Sequence, residues 1–172
     1  MTSKLKTDIL ETVSGSGTIA LTNQLSGMTS ASVPSGSVLQ VINASTSTQA
    51  TSTSNTFVDT GITASITPSS TSSKILILVD GQGFESNTAA RGFNTNVMRG
   101  STQIVEFDKA SSYGPEARSV TNNTGVNWLD SPSSTSAVTY KVQVRRQTGS
   151  DGTIYAQANS CTSTITLMEI KG

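Results

Sequence analysis

The chain has 172 residues, with eleven Lys or Arg, eleven Asp or Glu and no His, so its formal net charge is zero. That length suits one domain, and balanced charge with a single adjacent basic pair, Arg145-Arg146, excludes a general nucleic-acid-binding surface, which needs clustered cations. Without His, and with Cys161 as the only cysteine, there is no Ser-His-Asp or Cys-His relay, no His-ligated zinc and no disulfide within one chain.

Hydrophobic residues make up 34% and charged residues 13%, while about a third of the chain is Ser or Thr. A chain this thin in core-formers is expected to complete its buried surface with copies of itself. No window approaches the ~18 apolar residues of a membrane-spanning helix, and the N-terminus lacks the apolar stretch of a secretory signal. The expectation is a protein made in the cytoplasm, not inserted in a membrane, without cofactor or metal, and not an enzyme.

In chain order, residues 1–36 stand apart as an attachment and linker segment. Leu5 and Ile9 alternate on one side of an extended chain, as do Ile19 and Leu21, with Leu25 following. So short a segment has no core of its own and is expected to pack against other chains. Pro34 and Gly36 punctuate its end.

From residue 37 to 172 short strands alternate with turn signals. The pattern predicts strands over 38–42, 55–60 and 64–67, with Gly61 breaking the last two apart, and over 74–79, a continuous apolar run ended by Gly81-Gln-Gly83. Strands at 93–99 and 103–107 follow, joined by a tight turn at Gly100-Ser101. Residues 108–137 read as a long polar stretch without regular structure, and loops of that length are often functional. Three patterned strands close the chain, over 138–145, 152–158 and 162–170. Helical periodicity is missing throughout, so the fold class expected is all-β, an antiparallel β-sandwich of jelly-roll type preceded by an extended N-terminal segment.

The candidate binding residues lie in the polar stretch. Tyr113 and Trp128 stand among Asn123, Asn127 and Asp130, and a flat apolar ring beside amides and a carboxylate is the combination that holds a sugar. The alternative for Trp128 is a plug at the sandwich end or a subunit contact. Asp80, Glu85, Glu106 and Asp108 are read as charges at loop edges rather than as a hydrolytic pair. Cys161 reads as a small, buried or half-buried residue in a strand-like stretch.

The phrases Ser3-Lys-Leu-Lys-Thr-Asp-Ile-Leu-Glu11, Gly15-Ser-Gly-Thr-Ile-Ala-Leu-Thr22, Pro34-Ser-Gly-Ser-Val-Leu-Gln-Val41 and Thr164-Ile-Thr-Leu-Met-Glu-Ile170 resemble small structural proteins of tailed bacteriophages, marine ones especially. That resemblance implies a virion protein, a homotrimeric fibre or spike held to another virion protein by its N-terminal segment, with a β-sandwich head. Two locations follow: a tail fibre whose head touches a host surface glycan, or a head fibre or decoration protein on the capsid. The resemblance makes Leu5, Ile9, Ile19, Leu21 and Leu25 the residues of attachment and trimer packing.

Overall fold

The computed structural model describes residues 33–87, 92–111, 120–147 and 152–172. The N-terminal attachment segment, with Leu5, Ile9, Ile19, Leu21 and Leu25, lies outside them, apart from its last residues. Ten strands are described: β1 (Val38–Thr46), β2 (Ala50–Ser52), β3 (Val58–Ile66), β4 (Lys74–Ser86), β5 (Phe93–Arg99), β6 (Thr102–Ser111), β7 (Val120–Asp130), β8 (Val138–Arg146), β9 (Ile154–Ala156) and β10 (Ser163–Ile170). A 3-10 turn, Ala158–Ser160, joins the last two.

All pairings are antiparallel. In one sheet β1 pairs with β10, β10 with β4, and β4 with β7 on its other side; β9 and β2 extend it where β10 ends. The second sheet has the order β3-β8-β5-β6. Apart from the β5-β6 hairpin and the short β2 and β9, successive strands pass back and forth between the orders β1-β10-β4-β7 and β3-β8-β5-β6, which is the jelly-roll arrangement of an antiparallel sandwich.

The alternation in the sequence explains which side of each strand faces inward. From the first sheet Ile75, Ile77, Val79, Ile165 and Leu167 are buried, and from the second Ile62, Ile66, Val97, Tyr140, Val142 and Val144. Phe84 and Phe93 close one region of this core with ring centroids 5.7 Å apart. Glu169 occupies an inward position at the end of β10 and is 1% exposed. Its Oε1 accepts hydrogen bonds from the Ser69 backbone N–H (2.7 Å), Ser69 Oγ (2.7 Å) and Ser73 Oγ (2.6 Å), and its Oε2 from Gln40 Nε2 (2.6 Å). Burial alone raises the carboxyl pKa, but the hydrogen bonds from Ser73, Ser69 and Gln40 outweigh it and hold the group below the usual carboxylate range.

Three expectations about the strands need correction. Gly61 does not end a strand: β3 runs through it, and the pairing with β8 shifts between Asp59 and Thr63 around its left-handed backbone, φ 83°. Gly81-Gln-Gly83 likewise lies inside β4, where the register against β7 shifts between Gly81 and Phe84. A Cβ on Gly81 would come 2.7 Å from Thr124 Cγ2, and one on Gly83 2.8 Å from the Ala158 nitrogen. These glycines are bulges that let one strand continue beneath close neighbours rather than breaks. The largest correction concerns 108–137, where β6 continues to Ser111 and a full strand, β7, occupies Val120–Asp130.

Candidate functional site

β7 carries four of the five candidate sugar-contact residues; the fifth, Tyr113, lies outside the described residues. The strand opposes β4 with Val126 against Val79, Trp128 against Ile77 and Asp130 against Ile75, so these side chains share the inward side. Alternation sends Asn123, Asn127 and Leu129 to the outer side, where all three are exposed. The set is thus split by the pleat, and Trp128 does not share a face with the two amides.

Asp130 faces inward and is 8% exposed. Arg99 Nη1 donates to its Oδ1 (3.0 Å) and Oδ2 (2.9 Å), and the Tyr140 hydroxyl donates to Oδ2 (2.7 Å). Burial first, and then the Asp130 carboxylate beside it, push the Tyr140 phenol far above its ordinary value, so this tyrosine stays a donor. Asp130 sits in an internal network that ties β7 to β5 and β8 across the sandwich. Trp128, two residues earlier on the same side, is 40% exposed because β7 is a sheet edge. It is no plug of the core, and its ring remains open to a partner.

The outer faces hold what the sequence did not single out. On the first sheet, the registers Val41↔Met168, Met168↔Leu76 and Leu76↔Leu129 align four apolar residues in one row across β1, β10, β4 and β7. The flanking rows add Leu78, opposite Thr166 and Asn127, and the pair Val38 and Ile170. Val41 and Leu129, at the two edges, are 52% and 49% exposed. Along β4 the outward residues read Lys74, Leu76, Leu78, Asp80, placing charge only at the two ends of the column.

The outer face of the second sheet is polar. Asp59, Gln143, Asn96 and Glu106 form one row across β3, β8, β5 and β6, and Thr63, Lys141, Met98 and Gln103 another. Lys141 Nζ and Gln143 Nε2 donate to the two Asp59 oxygens at 2.9 and 2.7 Å. Burial opposes ionisation of Asp59, but the hydrogen bonds from Gln143 and Lys141 and the charge of Lys141 outweigh it and lower its pKa. Asn94 Nδ2 (2.7 Å) and Arg145 Nη2 (3.4 Å) both donate to Glu106 Oε1, and the Arg145 guanidinium stacks 4.8 Å from the Phe57 ring centroid.

The remaining sequence candidates take structural places. Asp80 and Glu85 lie on β4 and Glu106 and Asp108 on β6, in two different sheets. Arg146 donates to Asn55 Oδ1 and the Gly152 carbonyl. Cys161 is half-buried and sits just before β10 rather than in it. Among the described residues no three His, Cys, Asp or Glu side chains gather as metal ligands.

No protein-family model matches the chain, and no curated protein matches it. Among solved structures, the VP2 subviral particle of infectious bursal disease virus aligns with a TM-score of 0.51 at 11% identity, over 79% of this chain and 34% of VP2. A structure of the Gx strain of the same virus aligns at 0.43 and 13% identity, over 78% of this chain and 33% of that one. The chain spans about a third of the VP2 length. At such identity the first of these alignments shows the fold alone: the sandwich is a jelly roll like that of a viral capsid protein.

Proposed function

We propose that this chain is a structural protein of a tailed-bacteriophage virion, a homotrimeric tail fibre whose sandwich head meets a host surface glycan and whose N-terminal segment holds another virion protein. The observation that carries the proposal is the jelly roll, shared with a protein of a viral particle; the phage phrases in the sequence supply the finer assignment. The half-exposed Trp128 on the β7 edge is the ring best placed for a sugar. Capsid attachment, as a head fibre or decoration protein, is the second reading, favoured by the likeness to a particle-forming protein.

The test is where the protein sits and in how many copies. A tail fibre is expected as a few trimers at the tail in electron micrographs of the virion, and virions lacking the protein are expected to lose adsorption. Hundreds of copies on the capsid with unchanged adsorption would replace the fibre by the decoration protein. Trp128→Ala is expected to abolish binding of the purified protein to host lipopolysaccharide while leaving its melting temperature within a few degrees; unchanged binding removes Trp128 from the contact.

A further inference from the structure

The outer face of the β1-β10-β4-β7 sheet is the most distinctive surface among the described residues. A row of Val41, Met168, Leu76 and Leu129 crosses it from edge to edge, backed by Leu78 and Ile170, in a chain that is only 34% hydrophobic. Scattered apolar residues on a surface need no explanation, but a contiguous row marks an interaction site. Lys74 and Asp80 stand at opposite ends of the β4 column, so a like face laid against its middle brings no charge to be repelled or stripped of water.

From this geometry we infer that three copies of the chain bring these faces together around a threefold axis as a triangular prism, with Val41 at one edge of each face meeting Leu129 at the edge of the next. The inference rests on the homotrimer and names its surface. The dimensions close. Four strands at about 4.8 Å spacing make a face about 19 Å wide, and an equilateral triangle with such sides holds each side about 5.5 Å from its axis. Packed sheets stand about 10 Å apart, so each sends side chains about 5 Å toward the midplane, and the row would fill the prism without a central void. The cyclic arrangement brings the two most exposed ends of the row, Val41 and Leu129, together between neighbouring copies.

The face is roughly 19 by 20 Å, about half of the ~800 Å² per partner of a standard interface. In such a trimer Asn127, an outer-side neighbour of Leu129, lies at the seam between subunits rather than at a receptor contact.

Disulfide trapping in the full chain tests the arrangement. Val41 and Leu129 of one chain are three strand spacings apart, about 14 Å, well beyond the Cα reach of a disulfide. In a Cys161→Ser background, the double variant Val41→Cys, Leu129→Cys can thus oxidise only between copies. Covalent trimers that revert on reduction are the expected product; monomers alone, or a ladder that stops at dimers, would overturn the prism. Leu76→Glu is expected to keep the far-ultraviolet circular dichroism and to sediment as a monomer at concentrations where the unaltered chain is a trimer, whereas Ser65→Glu on the opposite outer face stays trimeric. A chain that sediments as a trimer both before and after Leu76→Glu keeps its threefold state but loses this face as the contact, and a chain that is never a trimer loses both. The virion location and adsorption tests report separately on the fibre.

Discussion

The two sheets of this sandwich obey one rule on their inner sides and opposite rules on their outer sides. Inside, both supply aliphatic side chains, Ile77, Ile165 and Leu167 facing Ile62, Val97 and Val142. Outside, the β3-β8-β5-β6 sheet shows carboxylates, amides and cations, with Asp59 paired to Lys141 and Gln143, while Asn96 Oδ1 and Arg145 Nε are buried without a partner. The β1-β10-β4-β7 sheet shows Leu76, Met168, Val41 and Leu129 instead. The polar face pairs charges within one chain. The apolar face gains free energy only when something covers it, at roughly 25 cal/mol for each Å² of apolar surface removed from water.

Substitutions at neighbouring positions of one strand separate these roles most sharply. Ile77→Ala, on the inner side of β4 and fully buried, is expected to cost about 2–5 kcal/mol in urea-induced unfolding. Leu76→Ala, one residue away on the outer side, is expected to cost well under half of that in the isolated head while weakening assembly. Equal losses at the two positions would mean that the outer face is already covered within one chain.

The buried Glu169 carboxylate gives the next effect. Its pKa is lowered in the folded protein, so its stabilising contribution is present above about pH 4.3, the ordinary glutamate value, and fades as pH falls through the lower folded value. Glu169→Gln keeps the shape but presents an amide to the hydroxyls of Ser69 and Ser73, at a cost of about 1–3 kcal/mol at neutral pH. Urea midpoints measured from pH 7 to pH 3 should fall less steeply for the variant than for the unaltered chain. Parallel curves would assign the acid sensitivity to other carboxylates.

The smallest effect belongs to the polar outer face. Lys141→Ala removes one partner of the Asp59 pair, whose carboxylate side chain is 55% exposed, and is expected to cost no more than about 1 kcal/mol, less at high salt. A larger loss would show that this face is also covered in the assembled protein.

The apolar runs and alternations made most strands legible. β8 alternates so cleanly that its residue order alone assigns Tyr140, Val142 and Val144 to one side, and the apolar run at 74–79 marked a strand. β7 was hidden because an edge strand rich in Thr and Asn lacks both the apolar run and the alternation, and its backbone is satisfied by β4 rather than by its own propensity. The glycines at 61, 81 and 83 misled for a related reason: a glycine that ends a strand and one that bulges inside it look alike until the partner strand is known. Asp130 had the composition of a ligand contact, but its pairing with Arg99 and Tyr140 joins residues from three strands.

The sequence by itself determined the all-β class, most of the strands and the exclusion of histidine and disulfide chemistry, because these follow from residue type and from a period of two. Only the tertiary structure decided the jelly-roll order and the outer row from Val41 to Leu129. The four residues of that row come from four separate strands, and only the registers between those strands bring them into line.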